Sequence, residues 1–278
     1  MKTSILLTFA LLSTSAFAQS SAVDEVKAAA KKLSEAANYS WTTTSKVPEE
    51  SRFRPGPING KAVQDGFAWV TTTMGERTNE TIFKAGKSVV KTGDGWQTPE
   101  ERRNARGDGG ENRPEGARRE GGSGGNRGEG GRGAGGGWGG GRGAQALKTP
   151  AEQAGDLAGK VKELAKDGDV LSGDLTEEAL KEMLTMGGRR RDGSEAPTPT
   201  GAKGSVKFWI KDGVLAKYET SLAGTISFNG NEMKLDRTAT TEIKDIGTTT
   251  VEIPEEAKKK IESAPAAPAT PAAPAENK

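Results

Sequence analysis

Pairs of adjacent glutamates are the side chains in this sequence with the most obvious capacity for acid–base chemistry. They occur at positions 49–50, 100–101, 177–178 and 255–256. Neighbouring residues of a strand point to opposite faces, and acids at the start of a helix interact favourably with the helix dipole. We therefore expect these pairs to be structural and not to act as general acid and base.

The side chains that most often carry catalysis are missing from the 278 residues, which include neither histidine nor cysteine. Histidine is the commonest general base and metal ligand near neutral pH, and cysteine supplies thiolate nucleophiles, disulfides and soft metal sites. No nucleophile paired with a base can be recognised. We therefore expect a protein that is not an enzyme and that needs no metal or cofactor. The formal net charge of +2 indicates no particular partner.

A segment at 102–145 is dominated by glycine, arginine and acidic residues. Between positions 102 and 143 it contains no Leu, Ile, Val, Phe or Met, so little apolar burial offsets the ordering entropy of its many glycines. We predict a disordered insertion whose arginines trypsin cleaves before it attacks the flanking domain. Arginine–glycine segments can bind single-stranded nucleic acid, but this one has a single aromatic residue, Trp138, and five diluting acids. Specific nucleic-acid binding is therefore not expected.

The N-terminal residues have the pattern of a cleavable secretory signal peptide. Lys2 is followed by a short apolar run at 5–12 and by Ala16-Phe17-Ala18, a small-x-small cleavage site. The run is too short to span a bilayer, and no later segment approaches that length. We predict a signal peptide at 1–18, cleavage near Ala18, and a periplasmic or secreted mature protein without a transmembrane segment.

The domain boundaries follow from composition. An Ala- and Pro-rich stretch at 264–278 is typical of an extended disordered tail. What remains, 19–263, is predicted to be a single domain that the insertion interrupts, because about 190 residues suit one core.

Helices are predicted where apolar residues recur at intervals of three and four, at about 21–37, from 150 to about 164, and at about 176–184. The second begins with Thr149-Pro150-Ala151-Glu152, which places a cap, an N1 proline and an N3 acid in order. A short terminal helix is predicted at 255–262, after Pro254.

Strands are predicted from alternating apolar and polar residues, at 39–45, 66–74, 81–85, 88–92, 206–211 and 215–222. Asp212-Gly213 and Asn229-Gly230 predict hairpin turns, and a third hairpin is expected to join 238–243 to 248–253. Residues 187–204 are interpreted as a loop. Connections this short require antiparallel pairing. The predicted class is α+β, a curved antiparallel sheet (an unclosed barrel) with helices packed on one face.

This order of features resembles the LolA/LppX superfamily of exported lipid and lipoprotein carriers. The resemblance is carried by Asn38-Tyr39-Ser40, by the stretch from Lys91 to Trp96, by 206–210 with the following Asp212-Gly213 and Lys217-Tyr218-Glu219, and by 245–254. It implies an unclosed antiparallel barrel with a helical lid over an apolar cavity for acyl chains.

The residues expected to line such a cavity are the apolar ones on one face of the predicted sheet: Phe67, Trp69, Phe208, Ile210, Tyr218, Leu222, Ile226 and Phe228. The same pattern is equally compatible with a solid core. The predicted function is that of a non-enzymatic binding or carrier protein for a lipid or acylated ligand in the cell envelope. The alternative is a structural or interaction protein whose insertion and tail contact envelope partners or polyanions.

Overall fold

The computed structural model describes residues 15–51, 54–75, 77–107, 147–184, 199–228 and 231–264. Within these ranges the chain forms five helices, which are α1 Ser15–Ser34, α2 Pro99–Gly107, α3 Pro150–Ala158, α4 Glu177–Leu184 and α5 Glu255–Ser263. The strands are β1 Asn38–Lys46, β2 Ile58–Val63, β3 Ala68–Met74, β4 Arg77–Lys84, β5 Lys87–Thr92, β6 Gly95–Gln97, β7 Ala165–Asp167, β8 Val170–Asp174, β9 Thr200–Lys211, β10 Val214–Phe228 and β11 Asn231–Lys244.

All the described strands belong to one antiparallel sheet in the order β6-β5-β4-β3-β2-β1-β11-β10-β9-β8-β7. The central pairing joins the two halves of the chain, because β1 pairs with β11 from Ser40↔Lys244 to Lys46↔Thr238. The two end strands, β6 and β7, are three residues long and do not pair with each other, so the sheet is not closed. The predicted α+β class, with an unclosed antiparallel sheet, is confirmed.

The two faces of the sheet are covered differently. Tyr39, Phe208 and Tyr218 point to the side where α1, α3 and α4 pack, which we call the helix face. Between β1 and β9 the other side carries mainly polar and charged residues, and we call it the open face. At β4 the adjacent residues Ile82 and Phe83 are both buried but belong to separate apolar clusters, so the sheet is covered on both sides there. The cover on the open face is α5, through Ala257 and Ile261, together with Ile253 just before the helix.

Helix α4 approaches the helix face closely because two glycines lie beneath it. A Cβ atom added to Gly204 would lie 2.6 Å from Leu180 Cδ2, and one added to Gly224 would lie 3.2 Å from Leu184 Cδ1. Larger residues there would push the helix away from the sheet.

The third predicted hairpin is wrong. Residues 248–253 form no strand, and β11 pairs instead with β1 on one side and with β10 on the other. The chain does turn after β11, with positive φ at Asp245 and Gly247. It then crosses the open face to Val251 and Ile253, which pack in the cluster of α5. Apolar burial against that cluster, and a ready partner in β1, outweigh the local hairpin pattern.

Several predicted boundaries also differ. The interpretation of 187–204 as a loop is wrong at its end, because β9 begins at Thr200, and α1 begins earlier than expected, at Ser15. Helix α3 ends at Ala158, although Val161 and Leu164 beyond it are buried as their spacing predicted. The first residues of the predicted insertion, 102–107, are helical in α2. The remainder of the insertion, the tail from 265 and residues 1–14 of the predicted signal peptide lie outside the described residues.

Candidate functional site

The structure divides the eight cavity candidates between the two faces. Buried on the helix face are Phe208, Ile210, Tyr218, Leu222 and Ile226. Phe67 and Trp69 lie on the opposite side, in the cluster of α5, because Ala68 and Val70 between and beside them face the helices. The side chain of Phe228 lies outside the described residues.

The core under the helices contains hydroxyl groups that hold α3 against the sheet. Tyr218 OH donates to Gln153 Oε1 at 2.7 Å. The hydroxyl of Tyr39 lies near the Thr149 side chain and the Ala151 backbone at the start of the helix, and burial raises the pKa of Tyr39 to about 12. Burial also raises the pKa of Tyr218. These phenols therefore stay neutral near pH 7.

Helix α3 starts where its sequence predicts. The Thr149 side chain accepts from the backbone N–H of Glu152, and the Glu152 carboxylate accepts from the backbone N–H of Thr149 at 2.7 Å. This capping box fixes the first turn, which places Gln153 over the sheet. The side chains that cover the helix face are thus positioned by local sequence signals.

At the far end of the helix face, beyond α4, the apolar side chains of β11 lie next to the cationic side chain of Arg237. Met233, Leu235 and Arg237 alternate onto this face, with Ile226 opposite Met233 and Leu222 opposite Arg237. The side chain of Met233 is 43% exposed. Arg237 is half-buried, burial lowers its pKa, and it has no ion-pair partner among the described residues. We call these three residues the rim.

On the open face a cleft of about 500 Å³ lies between the sheet and the segment at 250–252. Two cross-strand rows form its floor, with the first running from Ser40 through Lys61 to Trp69. The second row is Thr42, Asn59, Thr71 and Glu80. Of the eight cavity candidates, Trp69 lines this cleft.

Hydrogen bonds fix several groups around the cleft. Thr42 Oγ1 donates to Asn59 Oδ1 at 3.0 Å, which leaves the amide N–H groups of Asn59 as donors. Lys61 Nζ donates to the carbonyl oxygen of Thr250 at 3.0 Å and ties the crossing segment to the sheet. Glu80 Oε1 accepts from Lys91 Nζ at 3.0 Å. The indole of Trp69 stands edge to face with that of Trp96, with ring centroids 5.7 Å apart.

The sequence predictions missed the rim and, apart from Trp69, the cleft floor. The signal for the rim is the alternation of Met233, Leu235 and Arg237 with polar residues, which continues the pattern of β11. The cleft floor was missed because β2, with Asn59 and Lys61, contains few of the branched and aromatic residues that favour strands. Only its pairing between β1 and β3 makes it a strand.

None of the helices in the described residues combines the length and apolar character needed to cross a membrane. Within the same part of the chain, no three or more acidic side chains are grouped so that they could hold a metal ion.

No protein family model and no curated protein matches the chain, but several solved structures do. LprF from Mycobacterium bovis is 11% identical, with 86% of this chain and 98% of that chain covered at a TM-score of 0.39. The lipoprotein LppX from Mycobacterium tuberculosis is 10% identical, with 84% and 98% covered at 0.39. A LolA superfamily protein from Nitrosomonas europaea is 9% identical, with 87% and 96% covered at 0.32. Because the TM-scores lie below 0.5, the similarity by itself implies no shared ligand.

Proposed function

We propose that this chain is an exported, non-enzymatic protein that binds or carries a lipid or acylated ligand in the cell envelope. The observation that carries the proposal is the rim, where an apolar strand face emerges from beneath the helices and ends at an unpaired, half-buried arginine. An amphiphile with an acyl chain and an anionic head has the complementary order of groups. The signal-peptide pattern at 1–18 supports export.

The apolar part of the rim suits an acyl chain. Met233 is long, flexible and 43% exposed, and methionine adapts its shape to irregular apolar partners. Its cross-strand neighbour Ile226 is buried, so a chain lying on Met233 would continue onto a surface that is already apolar. Each buried CH₂ group contributes about 0.8 kcal/mol.

The charged part of the rim suits a carboxylate or phosphate head. A guanidinium group presents paired N–H donors that match such anions in a bidentate geometry. A partly desolvated cation without a counter-ion is unfavourable. An anionic head beside Arg237 would remove that cost.

Acyl binding beneath the helices requires α4 to move, because the described core is closely packed. Leu180 and Leu184 contact the sheet over Gly204 and Gly224. If these leucines are displaced, an acyl chain that enters from the rim can reach the apolar residues of the helix face. Those among the predicted cavity residues are Phe208, Ile210, Tyr218, Leu222 and Ile226. Helix α4 is only eight residues long, which favours such a displacement.

The test is lipid occupancy of the full chain purified from a host with membranes. We expect native mass spectrometry and solvent extraction to recover an anionic lipid, and the emptied protein to bind dansyl-labelled undecanoic acid. Met233→Glu and Arg237→Gln should each weaken that binding about tenfold, equivalent to about 1.4 kcal/mol. Lys234→Gln is the matched control, because Lys234 is an exposed residue on the same strand that points to the opposite face.

Two results would contradict the proposal. One is a protein that is recovered without lipid and does not bind the dansyl fatty acid. The other is binding of the dansyl fatty acid that Lys234→Gln weakens as much as Arg237→Gln does. Binding would then depend on the net charge of the protein and not on the position of Arg237.

The alternative function is contact with envelope partners or polyanions through the insertion and the tail. It depends on residues 108–145 and 265–278, which lie outside the described residues, so it stays a prediction. Deletion of residues 108–145 should abolish envelope association if it holds. Retention of the deleted protein in the envelope fraction would remove its main support.

A further inference from the structure

The open-face cleft lies on the side of the sheet opposite the rim. We infer that it binds a neutral saccharide, which packs on Trp69 and hydrogen-bonds to the neighbouring polar row of β1–β4. Its volume of about 500 Å³ lies within the range of small-molecule sites and is large enough for a short oligosaccharide.

The floor offers a flat row of hydrogen-bonding groups. Thr42, Asn59, Thr71 and Glu80 are direct cross-strand neighbours on four consecutive strands. At a strand spacing of about 4.8 Å the row spans about 14 Å. It combines amide donors, hydroxyls and a carboxylate, which is the mixture that a ligand with many hydroxyl groups needs, because each hydroxyl both donates and accepts.

Trp69 supplies the apolar surface. Its side chain is half-buried and lines the cleft, and contact with the buried Trp96 restrains its ring. One side of a pyranose ring carries mainly C–H groups, which pack on an indole while the hydroxyls remain directed outward. A tryptophan beside a hydroxyl–amide row therefore matches both kinds of sugar surface.

The charges around the cleft argue against an anionic ligand. The charged residues that line it are Lys61, Glu80 and Glu252, Lys91 is paired with Glu80 at 3.0 Å, and Ser40 donates to Asp245 at 2.7 Å. No excess of positive charge would attract a phosphate.

The position in the sheet argues against an extended peptide as the ligand. A peptide that adds to a sheet needs the free backbone groups of an edge strand. Here β1–β4 are internal strands, and β1, β2 and β3 each pair on both sides. The cleft therefore recognises its ligand through side chains.

The experiment is isothermal titration of the full chain with cellotetraose, maltotetraose and tetra-N-acetylchitotetraose. We expect at least one to bind with a dissociation constant of about 1 mM or lower. Trp69→Ala should weaken that binding at least tenfold, and Trp209→Ala should leave it unchanged. Trp209 is a matched control because it is a half-buried tryptophan on the same face, outside the cleft.

A second pair of variants separates binding from folding, because Trp69 also packs against Trp96. Thr71→Val removes a hydroxyl, and Glu80→Gln replaces one carboxylate acceptor oxygen by an NH₂ donor and removes the charge. Both keep the shape of the side chain, so each should weaken binding at least threefold while the urea unfolding midpoint stays within error. The inference is overturned if none of the three saccharides binds, if Trp69→Ala and Thr71→Val bind as tightly as the wild type, or if Trp209→Ala abolishes binding.

Discussion

Phe208 and Trp209 are neighbours in β9, yet they belong to two different chemical surfaces. Phe208 is completely buried under the helices. Trp209 lies half-buried on the open face, where Lys217 Nζ stands 3.7 Å from the centroid of its ring. Because side chains alternate along a strand, the sheet has one apolar face, which packs against the helices, and one polar face, which is accessible to solvent. The rim belongs to the first face and the cleft to the second.

Truncating these two neighbours is the strongest test of the difference. We expect Phe208→Ala to lower the free energy of unfolding by about 3–5 kcal/mol, because it leaves a cavity beneath the helices. Trp209→Ala should cost less than about 1.5 kcal/mol, since solvent already reaches its ring. Urea unfolding followed by circular dichroism measures both. Equal costs would show that the open face is as closely packed as the helix face.

The alkaline limit of stability depends on the helix face. The pKa of Tyr39 is raised from 10.0 to about 12, so the folded state retains a proton that the unfolded chain loses earlier. The stabilisation is complete below pH 10, declines as the pH rises through 10 to 12, and amounts to about 2–3 kcal/mol. Urea titrations at pH 8 to 12 should therefore show a steeper loss for the wild type than for Tyr39→Phe. Parallel slopes would contradict a buried, neutral Tyr39.

The sequence predicts which residues of a strand share a face wherever apolar and polar residues alternate along it. Residues 206–210 predicted one buried face and one polar face, and the capping residues at 149–152 predicted the start of α3. Both signals are local, because they depend on residues within one strand or one helical turn.

Long-range pairing could not be predicted in the same way. The partner of β11 is β1, about 200 positions earlier in the chain, while the local pattern favoured a hairpin to 248–253. Phe67 and Trp69 were assigned to the same face as Phe208 because alternation fixes the spacing within a strand but not which side faces the helices. For the same reason the cleft could not be predicted, because it is assembled from four strands and a crossing segment.

Contact between α4 and the sheet can be tested through the glycine beneath it. A Cβ atom at position 204 would lie 2.6 Å from Leu180 Cδ2, 2.8 Å from Leu222 Cδ2 and 3.0 Å from the Ser221 carbonyl oxygen. We expect Gly204→Ala to cost about 1–3 kcal/mol of stability and to weaken the helix layer. Gly155→Ala is the control, because no atom lies within 4 Å of its added Cβ in α3, and it should be neutral or stabilising by about 1 kcal/mol. If both variants unfold like the wild type, α4 does not pack closely on Gly204.

The smallest expected effect belongs to the pair of Lys217 and Trp209 on the open face. An ammonium group over an indole at an exposed site contributes about 0.5–1 kcal/mol, and water and salt weaken it further. We expect Lys217→Gln to reduce stability by no more than that amount. In a double-mutant cycle with Trp209→Ala, the coupling energy should be of the same size and should fall as the salt concentration rises. Lys211→Gln is the control, because Lys211 is an exposed lysine of β9 whose ammonium group does not stand over the ring of Trp209. A coupling above about 2 kcal/mol would mean that this pair is desolvated, and the open face would then resemble the helix face far more than the alternation of its residues implies.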